Sequence, residues 1–548
     1  VSSEIDASSA FASAMAAGGV RFVTAFPGSP TTSLALWLEQ HGAELGIEFR
    51  WAINENVALS QAFGAAMGGR GAAALMKHVG VNVASDALQV MGVVHGLAAP
   101  LLLIEGADAK PGSSQSAQDN RWLYASSPQL LVLGPGNVQE IAELVADACA
   151  ISTAAGMMVV VRGDARCFGA RGVVAPTSPA SATSPFPAWP ERGFALATSA
   201  RTYAHHLEQR RALLLRLQPW IERCRLEFGL DGQLHLAVVV AAHLGSEVSD
   251  VVRARRLPSM RLTVEHPLPE AALLELAGRV EELVVLEECT PTLEHAIAAL
   301  VHRSGLRTKV SGRAALGDTR PLGRLSGEVL DKLLDQIERR CPPGRRARST
   351  DEVAPPHTNP VELLSGFAAR CERERLGFDA AHPLSNFPAG DPRRAMFATL
   401  RKLRPVTFIA CDPGITGVLA LAEHQCDVKM HMGCAVPIAA GWARARPDAL
   451  AVAVVGDTNL PHSEWLGLLD AAHHSDDVLV VVADNGHSEM TQRIVTPRLA
   501  PERARASLEA AGIPCFAAEL NADPRGSWAV TLLEAAGLEG PRVAWLHW

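Results

Sequence analysis

The 548-residue chain is too long for a single core and should divide into roughly three or four domains. With 48% hydrophobic and 20% charged residues it has the composition of a globular protein, and its net charge of -8 argues against a phosphate-backbone binder, so no nucleic-acid partner is expected. Ten cysteines without a C-x-x-C pair suggest neither a zinc ribbon nor a disulfide framework, which fits a reducing, cytoplasmic home; the longest apolar stretch, Val90 to Ile104, contains His95 and is too short to span a bilayer, so no membrane partner is expected.

In chain order, short apolar runs from about Phe22 to Val161 (RFVTAFPG, AAALMKHVG, APLLLIEG, PQLLVLGPG, GMMVVVRG) end in Gly or Pro and alternate with Ala-rich helical stretches. That alternation predicts a parallel α/β domain over residues 1–175. A Pro/Ser/Ala-rich run then reads as a linker, and with a helical connector it fills residues 176–231. LHLAVVVAAH opens a smaller α/β domain over 232–338, and a basic, Pro-rich linker follows over 339–359. The last domain, 360–548, carries the strand-like runs RPVTFIACD, ALAVAVVGD and DVLVVVADN. The fold class is therefore α/β, with several parallel sheets flanked by helices.

Two of those last strands end in polar residues at a restrictive spacing. Asp457 follows AVAVVG, and Asn485 stands 28 residues further on, after VLVVVAD. A right-handed βαβ crossover would bring both strand tips to one edge of the sheet, where open α/β sheets bind ligands. A hard cation such as Mg²⁺ prefers carboxylate, amide and phosphate oxygens, so Asp457, Asn485 and the backbone carbonyl of His487 are candidate metal ligands that would grip a diphosphate. Taken alone, Gly456-Asp457-Thr458 reads equally well as a strand-to-helix turn with an N-cap. Gly433, in HMGCAVPIAAG, opens a small-residue helix whose amides could also approach phosphate oxygens.

A second signal lies near the start. Glu55 sits between a strand-like WAIN and an Ala/Gly-rich helix, where a glutamate is ordinarily a helix-dipole partner. Its setting resembles a family. FPGSPTT, NENVAL, KHVGVNVASDAL, SSQSAQDNR, GDTNLPHSEWLGLLDA and DNGHSEMT together resemble the α subunit of indolepyruvate ferredoxin oxidoreductase, among the thiamine-diphosphate-dependent 2-oxo acid oxidoreductases, and the likeness covers most of the chain. It implies a pyrimidine-binding first domain, a transketolase C-terminal-like middle domain and a diphosphate-binding last domain. It also implies thiamine diphosphate and Mg²⁺ as cofactors, held by Gly456, Asp457, Thr458 and Asn485, and a homodimer.

By the same resemblance Glu55 is the carboxylate that activates the aminopyrimidine, and Pro30, Thr31 and Arg121 lie beside the substrate. A planar guanidinium at Arg121 would suit a 2-oxo acid carboxylate, although a helix-cap arginine is an equally good reading of the residue itself. Lys77 and His78 follow the strand AAALM and should line the cleft, His78 as a proton carrier or as a packed structural histidine. His431 and His462 complete the candidate proton donors.

The chain departs from its relatives where they hold iron. The C-P-G-C motif corresponds to Pro388-Ala389-Gly390-Asp391, and the cysteine of a G-D-I-G-C context to Ile415, with Cys411 nearby but displaced. The closely spaced cysteines of a ferredoxin-like segment are likewise not met before RVAWLHW. No iron-sulfur cluster is therefore expected, because iron-sulfur clusters are held by thiolates. These departures favour non-oxidative decarboxylation of a 2-oxo acid, an arylpyruvate being one candidate, with the remaining fragment either protonated to an aldehyde or added to a second carbonyl. An α subunit working with a redox partner subunit is the alternative, and a non-catalytic scaffold the third reading.

Overall fold

The computed structural model describes residues 4–108, 117–126, 129–175, 196–197, 200–232, 234–288, 290–318, 323–341, 353, 359–368, 370, 387–491, 493–521 and 523–548. Most of the Pro/Ser/Ala-rich linker, most of the basic linker and the first residues of SSQSAQDNR lie outside them.

Three α/β sheets organise the chain. The first has seven strands in the order Val264–His266, Val132–Leu133, Met158–Gly163, Leu101–Gly106, Gly71–Lys77, Val20–Ala25 and Glu48–Trp51. All pair in parallel except Val264–His266, which comes from the middle segment of the chain and runs antiparallel to Val132–Leu133. The last sheet also has seven strands, all parallel: Cys515–Glu519, Arg542–His547, Val478–Asp484, Leu450–Gly456, Thr407–Cys411, Val428–Lys429 and Leu196–Ala197. Leu196–Ala197 belongs to the stretch expected to be linker and connector, so that stretch contributes an edge strand as well as the helix Ala200–Ile221. The middle sheet has five strands, four of them parallel, with Arg225–Phe228 antiparallel at one edge.

Near-continuous apolar strands such as VLVVVAD and LAVAVVG form the interiors because helices cover both faces of each parallel sheet. One apolar core runs without interruption from the first sheet into the last, including Phe22, Phe63, Ile438, Trp442, Val480 and Trp545. Its bridge is a pair of helices, Glu55–Met67 and Ala435–Ala445. They cross so closely that a Cβ on Gly64 would strike the carbonyl of Ile438, and one on Gly441 would strike the carbonyl of Gln61. Only glycine permits that approach.

Buried ions lock the same junction. Arg50 Nη1 lies 3.0 Å from Asp476, which also accepts from Arg444 Nε at 2.5 Å. Asp470 accepts from the Ile53 amide at 2.6 Å and from Gln61 at 2.5 Å, and His474 Nε2 is 2.8 Å from the Trp51 carbonyl. Among the described residues no helix is long and apolar enough to cross a membrane.

Candidate active site

The first and last sheets are joined through the helix pair Glu55–Met67 and Ala435–Ala445, and the expected site residues stand at strand ends on either side of that junction. Glu55 opens its helix just after the strand Glu48–Trp51, with Asn54 capping the helix through the Val57 amide at 2.8 Å. Its carboxyl packs on the backbone of Gly80, where a Cβ would come within 2.5 Å of Glu55 Oε1. Burial raises the Glu55 carboxyl above the usual glutamate range. The next residue, Asn56, reaches across the domains: its Oδ1 is 3.0 Å from His431 Nε2.

Other residues expected on the first domain divide into two groups. Lys77 ends the strand Gly71–Lys77, with its Nζ 3.8 Å from Asp108, and packs against Gly28. Pro30 and Thr31 lie over Gly106, at the tip of the neighbouring strand, and Thr31 Oγ1 donates to the Gly28 carbonyl at 2.7 Å. These three share one sheet edge. His78 and Arg121 differ. The His78 ring is wholly enclosed at 0% exposure, while its carbonyl accepts from Asn120 at 2.8 Å, a packing position and not a cleft-facing one.

Arg121 is a correction to the expectation that it clamps substrate. Its guanidinium is buried against Asp119, lies 2.8 Å from Glu287 of the middle domain, and donates at 3.3 Å to the carbonyls of Glu288 and Thr290. A fork already facing Asp119, Glu287 and, at 3.9 Å, Glu265 ties the first sheet to the middle one and has little left for a substrate carboxylate.

On the opposite edge, one pocket is lined by Asp412, Gly414, Thr416, Met432, Gly456, Asp457, Thr458, Asn459, Asn485, His487 and Glu489. The adjacent tips of Leu450–Gly456 and Val478–Asp484 bring Asp457 and Asn485 to the same wall, as their spacing suggested. Asn485 Nδ2 donates to Glu489 at 2.9 Å and its Oδ1 accepts from the His487 amide at 3.2 Å. Burial, then the neighbouring Asp484, push the Asp457 carboxyl up to about 6. Arg498 Nη1 rests on Asp457 and lies 3.0 Å from Asp484.

The donor set fits a metal-bound diphosphate. Asp457 supplies a carboxylate and Asn485 an amide oxygen at one strand edge. Thr458 Oγ1 and His487 Nε2, on the same wall, are buried without a hydrogen-bond partner among the described residues. Orphaned polar atoms in a concave wall are costly unless a ligand meets them.

Gly433 is a second correction. Its φ of +82° suits the turn, yet the amides it was expected to offer to phosphate are already taken. Asp412 accepts from Gly433, Cys434 and Ala435 at 3.0 to 3.1 Å, and Glu464 accepts from Ala435 at 2.7 Å. Burial raises both acids, and the neighbouring Asp412 helps push Glu464 well above the ordinary range.

The remaining histidines part company. His431 is enclosed, and burial lowers it to about 4, which keeps its ring neutral. His462 is exposed beside Ser463 and lines a second cavity of about 340 Å³ with Leu460, Trp465, Leu466, Leu499 and Trp545. Asp457 and Arg498 line that cavity too, so it adjoins the diphosphate wall.

Sequence reading passed over Asn56, Gly80, Asp412, Glu464, Asp484 and Arg498. Gly80 and Asn56 were within reach, since both stand in motifs that carry the resemblance, whereas Arg498 has no local signal because only the fold of its loop returns it to Asp457.

A profile described as thiamine pyrophosphate enzyme, C-terminal TPP binding domain, matches residues 422–522, which contain Asp457 and Asn485. The indolepyruvate oxidoreductase subunit IorA of Methanothermobacter marburgensis is 26% identical over 490 residues, 86% of this chain and 73% of that protein. The chain is similar to that subunit over most of its length and carries the thiamine pyrophosphate binding segment. The IorA subunit of Methanothermobacter thermautotrophicus is likewise 26% identical, over 485 residues with the same coverage. Among solved structures, the 2-oxoglutarate:ferredoxin oxidoreductase of Magnetococcus marinus aligns with a TM-score of 0.48 at 14% identity, over 62% of this chain and 65% of that one, less than two thirds of its length. The chain is a multi-domain α/β protein of parallel and mixed sheets flanked by helices, and its last sheet carries the segment that matches the thiamine pyrophosphate binding domain. Its first and last sheets meet within one chain, so a second copy is not needed to bring them together.

Proposed function

We propose that this chain binds thiamine diphosphate with Mg²⁺ in the cleft between its first and last domains and decarboxylates a 2-oxo acid there. The observation that carries the reading is the pocket holding Asp457 and Asn485 on the last sheet, together with the Asn56–His431 contact that brings the residue next to Glu55 against the last domain. Asp457, Asn485 and the His487 carbonyl would hold the metal, and Thr458 a diphosphate oxygen. When bound, the cofactor would supply a nucleophilic ring carbon and an electron sink for decarboxylation.

The chain's own residues do the rest. Glu55, raised by burial and backed by Gly80, is the carboxyl that would exchange a proton with a ring nitrogen. His431 stays neutral and holds Asn56 beside it. Lys77, Pro30 and Thr31 form the pyrimidine-side edge. The apolar cavity with Trp465 and Trp545 supports an aromatic substrate, since a flat ring gains most from such walls.

Two versions differ in the fate of the fragment that remains once CO₂ has left. Non-oxidative release as an aldehyde, or addition to a second carbonyl, is supported by the residues at the cluster positions. Asp391 caps the helix Pro392–Leu400 and binds Arg393 bidentately, and it is no substitute for a thiolate. The oxidative version, with acyl transfer to coenzyme A and redox centres in a partner subunit, is supported by the names of the relatives. Anaerobic incubation of the chain with cofactor, Mg²⁺ and aryl 2-oxo acids separates them. CO₂ release without an electron acceptor is expected from the first; release only with an added redox subunit and coenzyme A supports the second, and no release under either condition sinks both.

A further inference from the structure

The diphosphate wall carries three acids, Asp412, Asp457 and Glu489, and among the described residues its lining contains neither lysine nor arginine. A diphosphate brings further negative charge, so positive charge must come from the metal and from residues at the rim. Among the described residues two guanidinium groups reach that rim. Arg393 is held bidentately by Asp391 and lies 3.3 Å from Glu489, which leaves it committed. Arg498 is placed differently: its Nη1 contacts Asp457 Oδ2 and Asp484 Oδ1, and its other nitrogen lies 3.4 Å from where a Cβ of Gly486 would stand. It therefore covers the turn that presents Asn485 and occupies one oxygen of the Asp457 carboxylate.

Its setting is built for exchange. Asp457 and Asp484 are both buried, and the Arg498 guanidinium bridges them, supplying the positive charge that two neighbouring acids favour. The guanidinium does so from a partly exposed side chain at the end of the segment after Asn485, whose neighbour Leu499 is 49% exposed. A long flexible stem lets the charged head turn from Asp457 toward the pocket without moving a strand. Planar forked donors also match phosphate oxygens as well as carboxylates.

We infer that Arg498 is the resident counter-cation of the diphosphate pocket, yielding its Asp457 oxygen to the metal and turning to pair with the diphosphate. The inference rests on reading this wall as a metal–diphosphate site. No covalent step is involved; one ion pair is exchanged for two.

Metal and diphosphate can be tested separately on the full chain, with Mn²⁺ alone followed by electron paramagnetic resonance and magnesium pyrophosphate followed by calorimetry. Arg498→Gln should bind Mn²⁺ alone about ten-fold more tightly than the parent, because the competing cation is gone. The same variant should bind magnesium pyrophosphate about ten-fold more weakly, because a charge-assisted hydrogen bond is lost. Arg498→Lys, the second variant should the first not fold, keeps the charge but not the fork and should retain weak Mn²⁺ binding with reduced pyrophosphate affinity.

Equal Mn²⁺ affinity in parent and Arg498→Gln, including no binding by either, overturns the proposal, as does an unchanged affinity for magnesium pyrophosphate. Failure of the functional reading looks different. Neither chain would take up thiamine diphosphate, while the two opposed shifts with Mn²⁺ and pyrophosphate would still be seen.

Discussion

Glu55 is set apart from an ordinary helix-start glutamate by Gly80, whose missing side chain leaves the space its carboxyl fills. Two substitutions read that arrangement. Glu55→Gln should bind thiamine diphosphate within a few-fold of the parent yet lower turnover by about 10²-fold or more, the scale of a lost proton-transfer group. Gly80→Ala should also lower turnover, by displacing the carboxyl, while circular dichroism shows an intact fold. Parent-like turnover in both would remove Glu55 from the chemistry.

His431 gives a prediction of a different kind at the same scale. Its ring is lowered to about 4 in the folded chain from an ordinary 6.5, so below pH 6.5 the unfolded chain binds a proton that the folded chain refuses. The stability linked to neutral His431 is full above that pH and is lost as pH falls toward 4. Between about pH 7 and about pH 5 the loss should be about 2 kcal/mol from this residue. Urea unfolding at the two pH values measures it, and His431→Gln, which can still meet Asn56, should lose correspondingly less. An identical pH response in the variant would show that His431 is not the group responsible.

At the scale of elements, the crossing of Glu55–Met67 with Ala435–Ala445 joins the two halves of the site. Gly64→Ala or Gly441→Ala would press a methyl into a facing backbone carbonyl, and about 3 kcal/mol of destabilisation is expected, at the upper end for overpacked cores. Thermal denaturation checks the size; a change under about 0.5 kcal/mol, the level of an inert surface substitution, would mean that the helices part easily.

This crossing also marks where sequence reading stops. Strand runs such as VLVVVAD announced themselves by composition, and the spacing of Asp457 and Asn485 placed both at one sheet edge. Gly64 and Gly441 looked like any other small residues in Ala-rich helices, because only the docked pair gives them a task. Arg121 and Gly433 erred for a related reason. A guanidinium and a helix start each suggest an anion site, but Glu287, added to the adjacent Asp119, and Asp412 with Glu464 satisfy them from other elements of the fold. Pairing of that kind follows no local pattern. The strands Leu196–Ala197 and Val264–His266 were equally hidden, being two and three residues long and recruited to distant sheets.

For the whole molecule, one chain carries both Glu55 and the Asp457–Asn485 pocket, on sheets joined by a continuous core and by Arg50–Asp476. Chains carrying Glu55→Gln and chains carrying Asp457→Asn should therefore not rescue each other when mixed, as judged by CO₂ release. Recovery toward a quarter of parent activity would mean that the site is shared between copies.

The claim on which everything else depends is that this cleft takes thiamine diphosphate. Isothermal titration calorimetry of that cofactor into the full chain with Mg²⁺ tests it most directly. One binding event per chain is predicted, dependent on Mg²⁺ and abolished by Asp457→Asn; no heat of binding in the parent, or binding indifferent to Asp457, would contradict it.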